Sequence, residues 1–124
     1  MTKGSARKQP PAPVAWDGRA SLRAAGGDPA FLNELMELFL KDAGRAVVRF
    51  GRLARAGRWP DLAKEAHRLK GAALTLRLGG LAETLAGLEK AAQGGRESAA
   101  ASRAEQAAAE LEALRRFWSG RKRG

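Results

Sequence analysis

Apolar residues recur at helical steps of three and four in four successive stretches, and no stretch alternates apolar with polar as a half-buried strand does. In the first, Leu32, Leu35, Phe39, Ala43, Ala46, Val47, Phe50 and Leu53 share one face. In the second the face is Leu62, Ala66, Leu69, Ala73 and Leu76; in the third it is Leu81, Leu85, Leu88 and Ala92. The fourth runs Ala100, Ala104, Ala107, Leu111, Leu114 and Trp118, small residues giving way to large ones. A seam that starts with alanines lets helices approach closely before the larger side chains close the bundle.

The punctuation agrees with the periodicity. Gly26-Gly27 ends a short helix around 17–25, too short to persist without packing. Asp28-Pro29 then offers an N-cap followed by a proline at the first helical position. The long helix that follows is expected to run to about Ala56, with a weak point at Gly44, and Gly57 closes it. Trp59 is expected over the turn, and Pro60 opens the next helix, which Gly79-Gly80 is expected to stop. Gly94-Gly95 ends the third long helix. The fold expected is all-α, an antiparallel up-down four-helix bundle with a short additional N-terminal helix. A disordered basic tail over 1–13, the bundle over 14–118 and a basic C-terminal tail over 119–124 complete the division.

One residue stands against this pattern. His67, the single histidine, points about 140° away from the centre of its helix's apolar stripe, and Gly71 lies almost opposite that stripe. A glycine inside a helix costs about 1 kcal/mol relative to alanine. On an outward face, close packing against a neighbouring helix does not explain it. What the missing side chain supplies is clearance beside the imidazole.

Composition narrows the chemistry. There is no cysteine and one histidine, which excludes disulfides, thiol catalysis and the common zinc sites. No G-x-x-x-x-G-K-[ST] loop and no kinase signature set is present. No apolar run approaches a membrane span and no secretory leader is evident, so a cytoplasmic protein is expected. The net charge of +10 suggests a polyanion partner, but eight of the cations sit at the two ends of the chain. Residues 41–77 carry ten basic and three acidic residues, whereas 78–114 carry three and six. The half that holds His67 is the half that would steer an acidic partner. Arg45, Arg49, Arg52 and Arg55 recur on a further side of the long helix, as a solvated basic face or as the anion-facing edge of a docking surface.

The run AHRLKGAALTLRLGGLAETLAGLE, Ala66–Glu89, resembles the signature of histidine-containing phosphotransfer (HPt) domains, an exposed helical His followed by x-L-K-G and small residues. Leu81, Leu88 and Glu89 fall at the family's spacing from the histidine without a gap, and the segments GGDPAFLNELMELFLKDA and LARAGRWPDLAKEA look like its preceding helix and connector. The likeness extends over roughly Trp16 to Leu114. It departs at Arg77, where the family usually has a glycine.

The resemblance implies that His67 accepts a phosphoryl group from one receiver-domain aspartate and passes it to another. A neutral imidazole, ordinarily with a pKa of about 6.5, is a competent nucleophile for this. Lys70 would stabilise the phosphoryl group and Gly71 would leave room for the partner, with Lys64, Arg68 and Leu74 as docking contacts. The resemblance further implies a carrier rather than an enzyme, with no cofactor of its own. The partner's receiver domain would supply Mg²⁺ and the catalytic groups. Response-regulator receiver domains and a hybrid sensor histidine kinase are the partners expected of a monomer; a membrane and nucleic acid are not. Two other readings stand beside it: a basic bundle binding nucleic acid or another polyanion through its tails, and a docking-only relative without phosphotransfer.

Overall fold

The computed structural model describes residues 16–123. Five helices follow one another: α1 (Gly18–Ala24), α2 (Pro29–Arg55), α3 (Trp59–Thr75), α4 (Gly79–Gln93) and α5 (Glu97–Arg123). Helix α2 packs against α3 and α5, and α4 packs against α3 and α5, so the four long helices form a closed ring of antiparallel neighbours. The expected all-α bundle with a short leading helix is what is observed.

The apolar stripes read from the sequence meet at the bundle's centre. On α3, Leu62, Ala66, Leu69, Ala73 and Leu76 are all buried. On α4, Leu81, Leu85, Leu88 and Ala92 are buried; on α5, Ala100, Ala107, Leu111, Leu114 and Trp118 are buried, with Ala104 packed at the edge. Met36 and Leu40 join the core from α2, which continues unbroken past Gly44. Asp17 and Asp28 cap α1 and α2 by accepting hydrogen bonds from the backbone N–H groups of Ala20 (2.9 Å) and Ala30 (3.0 Å).

Helix α3 ends differently from the expectation. It stops at Thr75, and Arg77 carries the left-handed turn at φ 61° that a glycine would adopt without strain. The Leu78 N–H then donates to the Ala73 carbonyl at 2.9 Å, closing the helix as a glycine-terminated one closes. Gly79 and Gly80 are instead the first residues of α4. The end of α3 is held from a distant part of the chain. Leu76 O accepts from Trp16 Nε1 (3.1 Å) and from Ser21 Oγ (3.0 Å), and the Asp17 N–H reaches Arg77 O at 3.3 Å. Trp16 in turn meets Phe117 and Trp118 edge-on at ring separations of 5.7 and 5.8 Å. This strap anchors the segment from Trp16 to Ser21 to both α3 and α5.

The α5 backbone stays helical through Arg123, past the boundary at 118 expected between bundle and C-terminal tail. The expected N-terminal tail over 1–13 lies outside the described residues. Among the described residues, no helix is long and apolar enough to cross a membrane.

Candidate functional site

The outward face of α3 carries the site. Because Ala66, Leu69 and Ala73 turn inward, His67 is forced outward, and its side chain is 66% exposed. A Cβ built on Gly71 would meet nothing within 4 Å, so a clear notch lies one turn beyond the imidazole. Leu74, two turns along from His67, is 50% exposed.

Between α3 and α4 the decisive contact is a carboxylate that bridges two α3 side chains. Glu89 Oε2 lies 3.0 Å from His67 Nδ1, and its Oε1 accepts from Lys70 Nζ at 3.1 Å. Burial alone would push the Glu89 carboxyl up; the hydrogen bond and charge of Lys70, with a smaller contribution from His67, outweigh it and hold it below its ordinary value. An ionised carboxylate can only accept. The ring nitrogen facing it must therefore carry the proton, which leaves Nε2 of a neutral ring with its lone pair free.

The other flank of α3 is built from the same kinds of charge, joined more tightly. Arg68 points toward α2, donating from Nη1 to Asp42 at 2.9 Å and from Nη2 to Asp42 at 3.1 Å and to Glu65 at 2.7 Å. Glu65 also accepts from Arg49. Asp42 first, then Glu65, push the Arg68 guanidinium above its ordinary value. The Arg68 hydrogen bond, opposed by partial burial and joined by Arg49, holds the Glu65 carboxyl below its own. Arg68 thus ties α3 to α2, while exposed Lys64, on the open face, has no ion pair among the described residues.

His67, Lys70 and Gly71 therefore come together as the sequence placed them, with Lys64 and Leu74 on the same open surface. Glu89 was visible only as a residue at the right spacing. Its contact with His67 spans 22 positions and two helices, which no local pattern reveals. Leu38, 64% exposed, was also missed. It lines a shallow apolar groove between α2 and α3, with Leu35, Phe39, Ala72 and Thr75, on the Arg68 side of the notch. Among the described residues no three His, Cys, Asp or Glu side chains converge as a metal site would require.

The helical bundle thus presents one accessible imidazole, hydrogen-bonded to a carboxylate and flanked by an ammonium. The sequence matches the Hpt domain family over residues 34–117, and the chain belongs to that family. Membership places it among the phosphocarrier domains of two-component phosphorelays. Over 82 residues, 66% of this chain, it is 29% identical to the virulence sensor protein BvgS of Bordetella pertussis (strain Tohama I), of whose length it spans 7%. No solved structure matches it.

Proposed function

We propose that His67 is the phosphoacceptor, taking the phosphoryl group on Nε2 from a receiver-domain aspartyl phosphate and returning it to the aspartate of another receiver. The Nε2 lone pair attacks phosphorus, the P–O bond to the aspartate breaks, and the aspartate leaves as a carboxylate. The proton on Nδ1 stays where Glu89 accepts it, so the positive charge that develops on the ring faces a carboxylate 3.0 Å away. Lys70, bonded to the same carboxylate, lies one turn from the ring and supplies the cation nearest the incoming phosphoryl oxygens. Gly71 admits the wall of the partner's acidic pocket. Lys64 and Leu74 extend the contact, while Arg68 acts as a strut that fixes α3 on α2.

The observation that carries this reading is the pairing of an outward imidazole, held through Nδ1, with an empty notch at residue 71. The test is incubation with phosphorylated receiver domains, followed by an assay for acid-labile, alkali-stable phosphate and its mapping by mass spectrometry. Label is expected on His67 of the wild type and on none of the His67→Gln variant, whose thermal stability should stay close to the wild type's. Undiminished labelling of the variant would end the assignment.

A further inference from the structure

The bundle carries a second charged surface, on α2. Helix α2 lies between α3 and α5 in the ring, and His67 lies where α3 meets α4. On the outer side of α2, opposite its buried face, Lys41, Arg45, Val48, Arg52 and Arg55 follow at steps of four, three, four and three. That spacing confines them to an arc of about 80° and a length of about 21 Å. All five are exposed, and Val48 is 66% exposed at the middle of the row.

A groove runs alongside, with Lys41, Arg45, Val48, Arg49 and Arg52 of α2 and Arg115 of α5 among its lining. Apart from Arg49, which pairs with Glu65, its cations are largely left unneutralised from within. Among the described residues Lys41, Arg45, Arg52 and Arg55 have no ion pair, and Arg115 has one at 3.7 Å to Glu112, itself about half exposed. Shape adds to charge. Gly44 and Gly51 flank Val48 one heptad apart, and a Cβ at either would meet only the tip of a flexible arginine, Arg115 at 3.3 Å and Arg55 at 3.3 Å. Nothing in the bundle's own packing uses this backbone access, which those mobile tips can vacate.

We propose that this face docks an acidic amphipathic helix of a partner protein, its apolar residue seated on Val48 between the two glycines and its carboxylates paired with the arginine rim. Helix shape follows from the length of the row along α2 and from the close backbone approach that Gly44 and Gly51 permit. Acidity follows from the unpaired guanidinium row, whose fork matches carboxylates. A bare phosphate backbone would leave the exposed Val48 unmatched at the centre of the row, and the groove has no aromatic platform for bases.

The test uses a fluorescein-labelled helical peptide of about 18 residues, long enough to span the row at 1.5 Å per residue. It carries leucines at heptad spacing flanked by glutamates. Saturable binding that weakens with salt is expected, with amide resonance shifts confined to residues 41–55 and the neighbourhood of Arg115. Val48→Asp combined with Arg52→Glu should weaken it at least tenfold while the circular dichroism melt and phosphoryl acceptance at His67 persist; Arg52→Glu alone should weaken it less. The proposal is overturned if the peptide shifts α3 and α4 instead or produces no shifts, or if it binds the double variant as well as the wild type. Tighter binding of this face to a short DNA duplex or to phosphatidylserine vesicles than to the peptide would equally overturn it.

Discussion

The two flanks of α3 are made from nearly the same parts, yet only one of them leaves a ring nitrogen open to solvent. Toward α2, Arg68, Arg49, Glu65 and Asp42 form a lattice in which each carboxylate meets a guanidinium. Toward α4, a single carboxylate is divided between Lys70 and His67. The first arrangement uses up its donors and acceptors and so joins two helices. The second leaves one nitrogen of the ring uncommitted, with an open notch beside it. On the proposed reading, reactivity comes from what the ion pairs leave unsatisfied, not from how much charge is present.

Removing one cation from each flank should separate these roles most sharply. Lys70→Ala is expected to slow phosphoryl transfer by about 10- to 100-fold, the loss of one charge-assisted hydrogen bond of about 1.5–3 kcal/mol. Arg68→Ala should instead cost about 1 kcal/mol of stability, because it leaves the half-covered Glu65 and Asp42 short of a partner, and transfer should stay within about twofold. Stopped-flow transfer from a phosphorylated receiver, together with urea unfolding of both variants, measures the split. A reversed pattern would dissolve the distinction between the flanks.

The notch is probed next. Gly71→Leu should raise helix stability by a few tenths to about 1 kcal/mol, since leucine favours the helix and meets no neighbour. It should nevertheless slow transfer, because the new side chain occupies the partner's path. A variant that is more stable and equally fast would remove the clearance argument.

Acid titration treats the two flanks alike, which makes it a useful control. Glu65 and Glu89 are both held below the ordinary glutamate value of 4.5 in the folded protein. Their stabilisation is therefore complete above about pH 4.5 and is lost as the pH falls through the folded-state values. Glu65→Gln and Glu89→Gln should each flatten the acid limb of a stability–pH curve, while only Glu89→Gln alters transfer.

The smallest effect is expected at Arg77, remote from both flanks in function. Arg77→Gly relieves a left-handed residue at φ 61° and should stabilise by a few tenths to about 1 kcal/mol, offset in part by the greater freedom of glycine when unfolded. Thermal denaturation measures it, and transfer should not change.

These residues also show where the sequence was readable. The buried stripe of α3 follows from a local period, and so does the outward direction of His67 and Gly71. The end of α3 does not, because a double glycine reads as a stop. The stop is in fact a non-glycine residue, Arg77, whose carbonyl accepts from Asp17 while that of Leu76 before it accepts from Trp16 and Ser21, some 55 to 60 positions away. Glu89 and the Asp42–Arg68 pair were silent for the same reason. Each depends on the register between neighbouring helices, which side-chain packing sets and a single helix's pattern does not contain. The exposed Leu38 lay on a helix whose apolar face was already accounted for, so nothing marked it as surface.

The account turns on which ring nitrogen is free. Long-range ¹H–¹⁵N correlation spectra of ¹⁵N-histidine-labelled protein, recorded near neutral pH before and after phosphorylation by a receiver domain, read this directly. The neutral ring is predicted to be the Nδ1–H tautomer, with phosphorus coupling appearing at Nε2 after transfer and the tautomer preference reduced in Glu89→Ala. An Nε2–H ring in the wild type, or phosphate on Nδ1, would contradict it.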